Sequence, residues 1–265
     1  MFNETIVTSS LTSNTISIDK DSSYNITFDS DVIVFFDIKE IGRLKINVDV
    51  LSNVTAKIIF WNQSKSDMEI QEQYNLKNDA YLYLIYGELA DGNLVRHMTA
   101  NLYKGSEILV DGASVTDSNK NQTFIANHLE QNTTSNLNNY GIVSDGGVYF
   151  LDVVGSIVNG ATGSKAHQDS RLLTISENQK TTVVPQLLID ENDVEASHAA
   201  TVGQIDEMQL YYMQSRGLSK MESMALLMSG DLMPIARAIT DEKLSQRVET
   251  LINNKVSEIC YQASK

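Results

Sequence analysis

The sequence is poor in the features that mark several large classes of protein. It has one cysteine, Cys260, among 265 residues, so it has no internal disulfide and fits a reducing compartment. It has no run of 18 or more apolar residues, so we expect no membrane-spanning helix. The first residues lack the basic start and apolar core of a secretory signal. We therefore expect a cytoplasmic protein that does not enter membranes.

Clusters of positive charge are also missing. The sequence has 20 Lys and Arg residues and 34 Asp and Glu residues, which gives a net charge of −14 and a pI of about 4.6. Nucleic-acid binding needs clustered basic residues, so we exclude it. No Gly-x-x-x-x-Gly-Lys phosphate loop and no Gly-x-Ser-x-Gly elbow occur. We therefore expect that the chain binds no nucleotide and has no catalytic residues of these types.

Short apolar runs dominate the first 200 residues. Many alternate apolar and polar positions, as in Leu44-Ile46-Val48-Val50, which is typical of strands with one buried face. Residues that favour turns separate the runs at roughly ten-residue spacing. This spacing is compatible with a sandwich, a barrel or a solenoid, and periodicity alone does not choose among them. No strict sequence repeat is visible.

The pattern changes to helical after Gly203. Met208, Tyr211 and Tyr212 share one face of a first helix, and Gly217 suits its end. We expect a β domain over residues 1–202, with a short N-terminal extension, and a helical domain over residues 203–265.

Two further helices are predicted in this second domain. Ser219 and Glu222 have the spacing of a capping box for the second helix. Gly230 and Asp231 are expected to interrupt that helix, and Thr240 to cap the third.

Four histidines are the most obvious candidates for a metal site: His97, His128, His167 and His198. None has a local ligand spacing such as His-x-x-x-His, so we interpret them as unrelated unless stacked rungs of a solenoid bring them together. We interpret the acidic segment DENDVEAS as a solvated turn between strands. Cys260 is interpreted as a small buried hydrophobe.

Several ordered blocks between His167 and Ser219 resemble the SufB/SufD family of iron–sulfur cluster assembly proteins. The blocks are Arg171-Leu172-Leu173, Pro185-Gln186-Leu187-Leu188-Ile189, the acidic turn from Asp190 to Val194, the Ser197–Gly203 block and the Tyr212–Gly217 helix end. The resemblance covers about residues 90 to 265. Ala199 stands where the family has a glycine.

The resemblance implies a mainly β fold, a right-handed parallel β-helix followed by a small C-terminal α-helical domain. It also implies a non-catalytic scaffold that pairs with a SufB-like chain through the β-helix and docks a SufC-like ABC-type ATPase through its helices. An iron–sulfur cluster would be held only transiently. Movement of the ATPases would open the paired scaffold.

Individual residues acquire roles from the same resemblance. His198 stands at the histidine position that the SufD-like branch contributes to cluster assembly. Residues 179–184 contain no cysteine, although the SufB-like branch has one there, which favours the SufD-like branch. Candidate anchors for the ATPase are Tyr211, Tyr212, Met224 and Leu227, each of which could instead belong to the core.

Two other functions remain open at this point. The chain could be a self-associating β-helix homodimer that scaffolds without a SufB-like partner, or a plain interaction module without metal. It could also be a β-solenoid enzyme acting on a polysaccharide through paired carboxylates.

Overall fold

A computed structural model describes residues 2–8, 14–62, 64–239 and 241–262. Within these ranges the chain forms sixteen strands followed by three helices. The strands are β1 (Phe2–Val7), β2 (Thr15–Ile18), β3 (Ser22–Phe28), β4 (Val32–Ile38), β5 (Arg43–Val50), β6 (Thr55–Asn62), β7 (Met68–Leu76), β8 (Tyr81–Glu88), β9 (Leu94–Leu102), β10 (Glu107–Thr116), β11 (Asn119–His128), β12 (Thr134–Val143), β13 (Val148–Ile157), β14 (Lys165–Thr174), β15 (Lys180–Ile189) and β16 (Glu195–Gln204). The helices are α1 (Glu207–Ser215), α2 (Lys220–Arg237) and α3 (Glu242–Gln262).

The strands form two parallel sheets of eight. Odd-numbered strands lie in sequence order in one sheet and even-numbered strands in the other, so the chain alternates between the sheets. Each turn of chain therefore contributes one strand to each sheet, which defines a flattened parallel β-solenoid. The prediction of a β-helix followed by helices is confirmed, and the sandwich and barrel alternatives are wrong.

Successive turns repeat in space although their sequences differ. On the outer face of the odd-numbered sheet, Asn127 donates to Asn101, Asn101 to Asn75 and Asn75 to Asp49, each 26 residues earlier in the chain, at 2.9 to 3.0 Å. Inside, Val50, Leu76 and Leu102 stack in register and are fully buried. The repeat is one of side-chain type and direction, so it left no strict sequence signature.

Helices α2 and α3 pack against the outer face of the even-numbered sheet. The sheet contributes a set of buried apolar residues from five strands to this contact: Phe35, Ile59, Trp61, Ile85, Ala113, Val115 and Ile142. The helices contribute a second set: Met228, Leu232, Ile235, Ala236, Val248, Ile252, Val256, Ile259 and Cys260. Strands β4 and β6 are therefore buried on both faces, which explains why their sequences VIVFFDI and TAKIIFWN are nearly continuous apolar runs.

Ion pairs add to this contact between helix and sheet. Arg247 on α3 lies 3.2 Å from Asp37, and Lys255 pairs with Asp91. Apolar contacts and ion pairs together therefore hold α2 and α3 against the solenoid.

The second helix differs from the prediction. Its capping box between Ser219 and Glu222 is confirmed, but α2 continues without a break through Gly230, Asp231 and Pro234. Burial of Met228, Leu232 and Ile235 against the sheet outweighs the cost of about 1 kcal/mol for an internal glycine. Thr240, expected to cap α3, lies outside the described residues.

Gly112 leaves room for an aromatic ring inside the solenoid. A Cβ at this position would lie 1.8 Å from Cζ of Tyr86, whose hydroxyl passes over the glycine to Asn139 on the next strand of the sheet. We predict that Gly112→Ala lowers the free energy of unfolding by about 1–3 kcal/mol, because the ring is buried and cannot move away. Urea-induced unfolding measures this.

Gly230→Ala is the matched control, because a Cβ there meets no atom within 4 Å and its φ is not positive. The same measurement should show a gain of up to about 1 kcal/mol from helix propensity. Equal effects of the two substitutions would contradict this account of the interior.

Candidate functional site at the end of the solenoid

The last turn of the solenoid, β15 and β16, has a free edge; we call it the open rung. Among the described strands, β15 pairs only with β13, and β16 only with β14. Both are ten residues long, and their backbone groups on the outer edge have no strand beside them. Pro185 is compatible with this position because a strand at a sheet edge tolerates a missing N–H. Leu188 and Val202 are 55% and 46% exposed.

His198 lies on the inner face of the open rung. It pairs in register with Gln168, which points into the interior and is 4% exposed. In-register residues of parallel strands share a face, so His198 faces the mouth of the solenoid. His167 pairs with Ser197 instead and contacts its hydroxyl at 2.8 Å on the outer face. These two histidines therefore face opposite sides of the same sheet.

The first five residues of the acidic segment, Asp190 to Val194, form the predicted turn, whereas Glu195 to Ser197 belong to β16. The Glu191 carboxylate accepts hydrogen bonds from the backbone N–H groups of Gly160, Asn192 and Asp193, which hold the pKa of that carboxyl below its usual range. Gly160 lies in the preceding turn of the solenoid, so these bonds stack one turn on the next. Strand β16 then runs regularly through Ala199, without the glycine of the family pattern.

The remaining histidines do not join this site. His97 is exposed on the outer face of the odd-numbered sheet. His128 is buried against the hydroxyl groups of Thr133 and Ser135, at 2.7 and 2.9 Å, and burial lowers its pKa to about 4. Within the described ranges, no group of three or more His, Cys, Asp or Glu residues could hold a metal ion.

The predicted docking residues divide into two kinds. Tyr211 and Tyr212 are 68% and 58% exposed, and α1 has no buried residue. Met224 and Leu227 are half-buried, and Met224 packs against the core shared by helices and sheet. Three further apolar side chains on α1 and α2 are exposed: Met208, Met221 and Leu226. Cys260 is buried, and burial raises the pKa of its thiol.

A buried cluster of charges inside the solenoid was missed by sequence reasoning. The Arg96 guanidinium lies 2.9 Å from Glu72 and 2.7 Å from Glu88, and all three side chains are buried. Burial raises the pKa of Glu72, against the attraction of Arg96, and the Tyr74 hydroxyl donates to its carboxylate. The signal was present, since Arg96 and Glu72 occupy inward positions of the alternating strands LVRHMTANL and MEIQEQYNL.

Lys120 extends this cluster. Its ammonium donates to the Glu88 backbone carbonyl at 3.1 Å, and burial lowers its pKa to about 8. The cluster lies several turns from His198, so it belongs to the interior of the solenoid and not to the open rung.

These features define a class: a parallel β-solenoid whose last turn has unpaired strand edges, with an exposed helix beyond that turn. Comparisons with known proteins assign the chain to a family. Residues 8–231 match the family described as SUF system FeS cluster assembly, SufBD core domain. The chain belongs to this family, and the match begins well before residue 90, the position from which the sequence motifs indicate the resemblance.

Individual relatives of the chain belong to the same family. The chain is 32% identical over 182 residues to the iron–sulfur cluster assembly protein SufD of Bacillus subtilis, an alignment covering 67% of this chain and 41% of that protein. It is 29% identical over 115 residues to SufD of Escherichia coli, covering 43% of this chain and 27% of that protein. The chain thus spans less than half the length of the curated relatives it matches. None of the helices in the described part of the chain is long and apolar enough to cross a membrane.

Arg96 offers a test of the buried cluster. We predict that Arg96→Met lowers the free energy of unfolding by about 3–5 kcal/mol, because two buried carboxylates lose their counter-charge. Because burial raises the pKa of Glu72, protonation of this carboxyl as the pH falls favours the folded chain over the unfolded one. Without Arg96 the pKa of Glu72 rises further. The loss of unfolding free energy in Arg96→Met should therefore be smaller at about pH 5.5 than at about pH 8.

Arg43→Met is the matched control, because Arg43 and Glu69 form an exposed ion pair at 3.8 Å. It should cost about 1 kcal/mol or less at either pH. If chemical unfolding shows similar losses for both variants, the buried cluster does not have the importance assigned to it.

Proposed function

We propose that this chain is a non-catalytic scaffold subunit of an iron–sulfur cluster assembly complex. In this proposal it pairs with a SufB-like chain through the open rung and docks an ABC-type ATPase through α1 and the start of α2. The cluster is cargo, assembled transiently beside His198 where the two scaffold chains meet. The observation that carries the proposal is the position of His198 on an unpaired end of the solenoid, in a chain of the SufB/SufD family.

The physical chemistry of the open rung supports pairing. An unpaired strand edge presents rows of N–H and C=O groups that another strand can bind, and soluble proteins normally cover or shorten such edges. Here two adjacent edges of ten residues remain, with Leu188, Ile189 and Val202 exposed beside them. A second solenoid placed end to end would continue both sheets and cover these apolar side chains.

The chemistry of imidazole supports a role for His198 in handling iron. A neutral histidine is a good ligand for Fe(II) and is available near neutral pH. At the mouth of the solenoid the ring would face the partner chain, which could supply the ligands that this end lacks among its described residues. The buried free thiol of Cys260 is compatible with the reducing cytosol in which we expect the complex to act.

Exposed apolar side chains support docking of a partner on the helices. Met208, Tyr211 and Tyr212 on α1 and Met221 and Leu226 on α2 are all exposed. Tyrosine and methionine are enriched at protein interfaces, and an exposed helix face of this type fits a groove on a partner. Met224 has a partner in the core and is a weaker candidate.

The alternatives have unequal support. Membership of an iron–sulfur assembly family leaves the polysaccharide-active enzyme without a supporting observation. A homodimer would use the same open rung, so it is a possible outcome of the experiment below.

Co-expression with the SufB-like and ATPase proteins of the same source tests the architecture, with size-exclusion chromatography and mass determination. We predict a complex containing all three chains. Val202→Asp should release the SufB-like chain because it places a charge at the mouth of the solenoid. Tyr211→Ala combined with Tyr212→Ala should weaken capture of the ATPase and leave scaffold pairing intact.

Val95→Asp is the control for both surfaces, because Val95 is 53% exposed on the outer face of the odd-numbered sheet. It should leave the complex unchanged. A parent chain that elutes only as a homodimer would contradict pairing with a SufB-like chain.

The role of His198 has its own test. We predict that His198→Ala keeps the three-chain complex intact and reduces the yield of iron–sulfur cluster at least about tenfold. Even loss of a residue that only orients a metal ligand typically lowers metal affinity by this factor. Iron and sulfide analysis and absorbance spectra of the purified complex give the yield. His97→Ala is the control, and a normal yield from His198→Ala would remove His198 from the mechanism.

A further inference from the structure

Gln168 is a buried amide with one end unpaired. Its Nε2 group donates to the backbone carbonyl of Gln186 at 2.9 Å. Its Oε1 atom is buried and accepts no hydrogen bond from any described residue. A buried acceptor left in this state costs about 1–3 kcal/mol, so a hydrogen-bond donor that reaches it stabilises the fold.

The position of Gln168 makes the amide more unusual. The inner column of the even-numbered sheet that contains it runs in register through Leu84, Val110, Leu137, Gln168 and His198. The first three residues are buried aliphatic side chains, which fill the interior without polar atoms. Polar side chains replace them only in the last two strands. Packing alone would therefore favour another aliphatic residue at position 168.

The orientation of the amide is determined by its surroundings. Because Nε2 is bound to the Gln186 carbonyl, exchange of the oxygen and nitrogen positions would lose that bond, so Oε1 is the free end. Gly155 lies opposite, and a Cβ there would approach Nε2 to 3.2 Å. The two sheets are thus close at this level, and the amide has little freedom to turn.

His198 is the next residue in this column, about 4.8 Å further along the sheet. Its side chain is exposed, and no hydrogen bond links its imidazole to another described residue, so the ring can change rotamer at little cost. A histidine that binds a metal through one ring nitrogen usually donates the other N–H to a fixed acceptor, which sets the tautomer and the direction of the ligand.

We propose that Gln168 is the positioning residue for His198: its Oε1 atom accepts a hydrogen bond from one imidazole N–H and directs the other ring nitrogen out of the open rung. This inference rests on the role proposed above for His198 and adds the residue that orients it. Gln168 itself does not contact the iron. The bond would satisfy the buried oxygen and would select one imidazole tautomer.

Gln168→Leu tests the inference, with Gln122→Leu as the matched control. Gln122 is also a buried inward-facing glutamine whose Nε2 is bound, to Ser114, and whose Oε1 is unpaired, but it lies two strand pairs from the open rung. In the full chain, 15N chemical shifts of the His198 ring report the ratio of tautomers. Gln168→Leu should change this ratio about two- to tenfold, the factor that one ordinary hydrogen bond supplies, and Gln122→Leu should not.

Fe(II) binding to the three-chain complex is the second readout. Gln168→Leu should weaken it about 10- to 100-fold, and Gln122→Leu should leave it unchanged. Thermal unfolding of each variant checks that the fold is intact.

The two readouts separate this inference from the proposed function. If His198→Ala leaves Fe(II) binding unchanged, the role of His198 in iron handling fails, and the tautomer ratio still decides whether Gln168 orients the ring. If His198→Ala weakens binding but Gln168→Leu changes neither binding nor tautomer ratio, the inference is overturned.

Discussion

The structure depends on in-register stacking of successive turns of the solenoid. Each turn buries its inward side chains and saturates its backbone hydrogen bonds only because another turn lies beside it. The same requirement leaves unpaired edges at both ends of the described sheets: β1 and β2 have a neighbour on one side only, and so do β15 and β16. The open rung is therefore a direct consequence of the architecture.

The two faces of the even-numbered sheet pack against different parts of the protein. Its inner face closes the solenoid, whereas its outer face holds α2 and α3 through aliphatic and aromatic contacts and through ion pairs such as Arg247 with Asp37. Helix α1, which follows β16 directly, takes no part in this contact and has no buried residue.

Sequence reasoning succeeded where the signal was local or came in several ordered blocks. Alternating strands, the capping box at Ser219 and the acidic turn before β16 each depend on neighbouring residues, and the structure has all three. It failed at Gly230, because tertiary burial of Met228 and Leu232 outweighs local helix propensity. It also overlooked Arg96, whose inward position becomes evident only when the alternation is followed strand by strand.

The sequence by itself determined the strand-rich body, the helical end and the family, since alternation, capping and motif order are properties of neighbouring residues. Only the tertiary structure decided which histidines meet. His167 and His198 are both on the last strands of one sheet, yet strand alternation places them on opposite faces, and the register of β14 with β16 sets His198 beside Gln168. Register depends on the length of every intervening turn, which no local pattern encodes. The candidate site therefore exists only through the stacking that also leaves its end open.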